Sequence, residues 1–84
     1  MKYALMTQDD CPRCEIMKGI LNKPLKGAYN DKIQIVHKQS DPDRFEELRK
    51  EYSVSSTPQL INLETQELIS DVSNGLKIKK FLES

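Results

Sequence analysis

The chain has 84 residues, 13 basic against 13 acidic side chains, two cysteines and no tryptophan. That length allows one compact domain and not two, and the cancelled charge lacks the electrostatic footprint of a nucleic-acid binder. With a mean hydropathy of −0.64 and no apolar run near the ~18–20 residues that span a bilayer, a membrane helix is excluded.

Lys2–Met6 reads as a short, mainly apolar strand, buried on both faces if it lies centrally. Thr7–Asp10 is a polar loop. Pro12 suits the first turn of a helix, where its missing N–H costs nothing, and Met17, Ile20 and Leu21 come after it at helical spacing until Pro24 ends the run. Lys26–Asp31 is a connection, and Ile33, Ile35 and Val36 mark a β-branched second strand. Ser40-Asp41-Pro42 is a strong helix start, and Phe45, Leu48 and Tyr52 lie on one face of the helix it opens. Ser53–Thr57 is a polar loop. Gln59–Leu63 and Glu67–Val72 predict two strands joined as an antiparallel hairpin by Glu64-Thr65-Gln66, a turn without glycine. Ser73 or Asn74 caps a last helix whose apolar face is Leu76, Ile78, Phe81 and Leu82. Met1, Met6 and Met17 read as ordinary packing, and Lys77, Lys79 and Lys80 as a basic helix end that complements its dipole.

The order β-α-β-α-β-β-α is α/β, and its strand–helix–strand start implies a right-handed crossover and a parallel pair. Ligands of such folds gather beyond the carboxyl ends of the parallel strands. Cys11 comes directly after the first strand and falls at that end.

The segment Met1-Lys2-Tyr3-Ala4-Leu5-Met6 is too short for a signal-peptide core, so a cytoplasmic, reducing compartment is the expectation. There a cysteine pair is catalytic or metal-binding rather than structural. In Cys11-Pro12-Arg13-Cys14, the spacing puts both sulfurs on one side of the first helical turn. Cys11 lies where unpaired N–H groups and the macrodipole favour a thiolate, the attacking species in disulfide exchange. Cys14, one turn further in, suits the resolving role. Arg13 favours the thiolate and Asp9 and Asp10 oppose it; the expected balance is a depressed Cys11 pKa. A structural disulfide here would enclose almost no chain. A zinc site needs about four ligands, so metal would require two chains sharing an all-cysteine site. His37, on the second strand and far along the chain from the cysteines, reads as a surface or structural residue. Thr57-Pro58 opens the apolar run Leu60-Ile61, as an ordinary loop proline in trans or as a special turn.

Taken together, Cys11-Pro12-Arg13-Cys14 after a first strand and Tyr52-Ser53-Val54-Ser55-Ser56-Thr57-Pro58-Gln59-Leu60-Ile61 resemble the thioredoxin/glutaredoxin superfamily, closest in size and motif to glutaredoxin-like small redoxins. The resemblance implies a thioredoxin-like fold of one domain over residues 1–84: a four-stranded mixed sheet flanked by three helices. It implies that Pro58 is a cis-proline beside the cysteines and that the backbone of Thr57 pairs with an extended substrate or glutathione. Arg13, Thr57 and Pro58 are the expected substrate-binding residues, and Cys11 and Cys14 the catalytic pair.

Such proteins bind no resident cofactor. They reduce protein disulfides, often serving ribonucleotide reductase, and take electrons from glutathione or from NADPH through thioredoxin reductase. A monomer without nucleic-acid or membrane partners is expected. Two departures weaken a glutathione site: Gln8 stands where glutaredoxins carry a lysine, and Ser70-Asp71-Val72-Ser73-Asn74-Gly75 lacks their Gly-Gly-Asp loop. Reduction of protein disulfides is therefore the leading expectation. A glutathione-dependent glutaredoxin acting on mixed disulfides is one rival, and a non-enzymatic module, metal-bridged or redox-inert, is the other.

Overall fold

A computed structural model describes residues 2–83; Met1, expected to pack, lies outside them. β1 (Tyr3–Thr7) has five consecutive buried residues. It sits inside the sheet, whose strand order is β2-β1-β3-β4. β2 (Ile33–His37) runs parallel to β1, with Thr7 beside His37 at the carboxyl end. β3 (Gln59–Asn62) and β4 (Leu68–Ile69) complete the sheet by antiparallel pairing.

The period-two alternation of β1 divides the core between the two faces. Tyr3 and Leu5 join Met17 and Leu21 of α1 (Pro12–Asn22) and Ile78 and Leu82 of α3 (Gly75–Leu82). Ala4 and Met6 turn the other way, to Phe45 and Leu48 of α2 (Pro42–Glu51), with Val36, Val54 and Ile61. The sheet is thus mixed and covered by three helices.

Each helix begins as local chemistry dictates. Pro42 comes after Asp41, whose carboxylate accepts from the Arg44 N–H, and Asn74 rather than Ser73 caps α3 by accepting from the Leu76 N–H. Two expectations need correction. β4 keeps only two of the six residues predicted to be strand, because the chain turns away after Ile69 into a loop closed by Asp71 and Ser73. Leu76 is 59% exposed and lies off the apolar face of α3. Ile35 lies on β2 as the sequence predicts, and it is 55% exposed on this edge strand. The glycine-free hairpin turn closes through Gln66, which takes a left-handed φ of 66°. Asn62 helps by accepting from the Glu64 and Thr65 N–H groups.

Candidate active site

The five-residue strand β1 ends at Thr7, and a short polar loop delivers the chain to Cys11, the N-cap of α1. The Cys11 sulfur itself accepts from the Cys14 N–H at 3.1 Å. A thiolate at that position would receive a backbone donor and the positive end of the helix together. Cys11 and Cys14 are joined as a disulfide, with Cα atoms 5.2 Å apart. Their exposures differ: Cys11 is partly open, Cys14 only 1% exposed.

A second segment meets the first sulfur from across the fold. Thr57 and Pro58 are buried at the start of β3, the peptide bond between them is cis, and the Thr57 hydroxyl lies 3.4 Å from the Cys11 sulfur. Arg13, between the cysteines, is exposed and reaches away from them to donate to the Ser70 carbonyl at 2.6 Å. That bond fastens the first turn of α1 to the loop before α3. In the same loop Asp71 is held below the usual carboxylate range, chiefly by the Ser73 hydroxyl and then by the Ser73 N–H.

The fold also brings in a residue that sequence reasoning sets aside. His37 lines an open cleft together with Gln8, Asp9, Asp10, Cys11 and Pro12. Its Nε2 lies 2.8 Å from an Asp9 carboxylate oxygen and its Nδ1 2.8 Å from the Thr7 hydroxyl. Distance along the chain conceals this. The available signal is the parallel pairing of the first two strands, which puts the end of one beside the end of the other. Gln8 also borders a second cleft, lined by Thr57, Lys38 and Arg49 among others. Among the described residues no group of three or more His, Cys, Asp or Glu side chains is arranged to hold a metal ion. Nor is any helix there long and apolar enough to cross a membrane.

No family model matches the sequence, and no curated protein does. Among solved structures, the crystal structure of the thioredoxin-like protein BC3987 is similar to this one with a TM-score of 0.68 and 25% sequence identity, covering 96% of this chain and 99% of that chain.

Proposed function

We propose that this chain, whose fold is thioredoxin-like and whose Cys11–Cys14 pair fits a Cys-x-x-Cys redox motif, is a dithiol oxidoreductase that reduces protein disulfides. In the reduced protein the Cys11 thiolate attacks one sulfur of a partner disulfide. A Cys11–partner bond forms, the partner S–S bond breaks, and the expelled partner thiolate takes a proton from solvent. Cys14 then loses its proton and attacks Cys11, forming the intramolecular disulfide and releasing the second partner thiol. Two electrons have passed to the partner, and an external thiol or a reductase returns the protein to the dithiol.

The observation that carries this reading is the unequal setting of two bonded sulfurs. One caps a helix at the surface within reach of Thr57; the other is shut inside the first turn. The cis Thr57-Pro58 segment beside Cys11 offers backbone to an extended partner, a contact tolerant of partner sequence. A donor role toward ribonucleotide reductase and a cytoplasmic setting belong to this reading.

A second reading, a glutathione-dependent glutaredoxin, draws support from Lys38 and Arg49 in the cleft that Thr57 also lines. They are cations that a glutathione carboxylate would meet, although Arg49 is already paired with Glu46. One experiment separates the two. Oxidised protein is offered glutathione or, in parallel, NADPH with thioredoxin reductase, and recovery of its thiols is timed. Recovery through the reductase favours the first reading, recovery only with glutathione the second, and recovery with neither refutes both.

A further inference from the structure

We infer that His37 is a positioning residue for the reactive sulfur: it draws the Asp9 carboxylate toward the end of β2 and leaves Cys11 as the side-chain cap of α1. The inference rests on the reading of Cys11 as the attacking sulfur and goes beyond it.

A carboxylate in the β1–α1 loop is a hazard to the proposed chemistry. Asp is among the best helix N-caps, far better than a sulfur, because its oxygens accept strongly from the free N–H groups of the first turn. A like charge beside a thiolate also disfavours ionisation. Asp9 stands two residues before Cys11, yet it caps nothing in α1; the cap is the Cys11 sulfur. Instead one Asp9 oxygen binds His37 Nε2 at 2.8 Å, and the Asp9 N–H donates to the Gln39 side chain at 2.8 Å. The Lys38 N–H adds a bond to the Thr7 carbonyl at 2.9 Å. Bonds from the segment 37–39 therefore hold both the end of β1 at Thr7 and the loop residue Asp9 that precedes Cys11.

The ring is suited to holding rather than to proton transfer. Both nitrogens are engaged, and Thr7, its partner at Nδ1, is fully buried. When the ring is neutral, Nε2–H donates to Asp9 and Nδ1 accepts the Thr7 hydroxyl proton. When it is charged, Nδ1–H donates to the same hydroxyl oxygen. The tie to Asp9 survives in both states. Lys38, next to the ring in sequence, lines the neighbouring cleft; the other charged groups of this one are Asp10 in the loop, and Glu15 and Lys18 on α1. The last two are paired with each other at 3.3 Å.

The test reads one sulfur without any partner protein: the pH profile of iodoacetamide alkylation of Cys11 in the reduced protein. His37→Ala frees the Asp9 carboxylate, and the alkylation midpoint rises by roughly half a pH unit or more. His37→Ala with Asp9→Ala removes the freed charge, and the midpoint falls back to the wild-type value or below. His37→Gln, whose amide can reach Asp9 from the same backbone position, holds the midpoint near the wild-type one. Circular dichroism confirms that each variant is folded at the pH of measurement. An unmoved midpoint in His37→Ala overturns the inference, as does a double variant that shifts as far as the single one. If turnover falls while the midpoint stays, the ring acts as a proton donor instead and the positioning role is refuted. A Cys11→Ser protein that still reduces disulfides at the normal rate would instead sink the reading of Cys11 as the attacking sulfur on which this inference rests, so the two failures are distinguishable.

Discussion

The Thr57 hydroxyl lies 3.4 Å from the Cys11 sulfur, bridging 46 residues of chain. In the dithiol state that hydroxyl can donate to the sulfur, and a hydrogen bond to the charged form favours ionisation. Thr57→Val keeps the shape and removes the donor. A bond to a charged group at a partly open site contributes about 1 kcal/mol, so alkylation of Cys11 at neutral pH should slow roughly fivefold. Stopped-flow or quenched alkylation of the two proteins measures it directly.

The two cysteines should fail in different ways. Cys11→Ser loses the attacking sulfur, and disulfide reduction stops. Cys14→Ser allows the first attack but not the second, so a Cys11–partner adduct accumulates. Mass spectrometry before and after added reductant detects it. Equal adduct formation by both variants would contradict the assigned order.

Arg13 holds the Ser70 carbonyl, and the loop around it is closed by Asp71 and Ser73. The Asp71 carboxyl is pulled below its ordinary value of 3.8, first by the Ser73 hydroxyl. A lowered carboxyl pKa favours the closed loop above the ordinary value, and that preference is lost as pH falls through the lowered one. Ser73→Ala should move the Asp71 midpoint upward toward 3.8, read by NMR titration of its side-chain carbon. No change would mean that the turn is not formed in solution.

Tyr3 is fully buried, and its hydroxyl donates to the Leu82 carbonyl at 2.9 Å, tying the end of α3 to the start of β1. Tyr3→Phe leaves that carbonyl without its donor. The expected loss is about 1–2 kcal/mol, which for a domain of this size is a fall in Tm of roughly 4–15 °C. Differential scanning calorimetry supplies the number.

The element order is legible in the sequence because each start carries its own chemistry: Pro12 after Cys11, Asp41-Pro42, and Asn74 before an amphipathic run. The unequal burial of the cysteines comes from one of them being the cap. The features that escape depend on neighbours in space. Ile35 and Leu76 have the side chains of core residues, and only the place of β2 at the sheet edge and the seating of α3 expose them. The shortness of β4 comes from a loop held by Asp71, Ser73 and Arg13, a tertiary arrangement that strand propensity does not see. His37 escapes for the same reason. Its importance lies in its register with Thr7, not in its own neighbours along the chain.

The outer edge of β2 offers free backbone groups and an exposed isoleucine, the ingredients of unwanted pairing between copies. An antiparallel mate centred on Ile35 would set Lys32 of each copy against Lys38 of the other. Like charges facing across a ladder repel. The lysines on either side of that strand thus act as bumpers, and crowding many copies together meets resistance at the margin where a growing stack would otherwise begin.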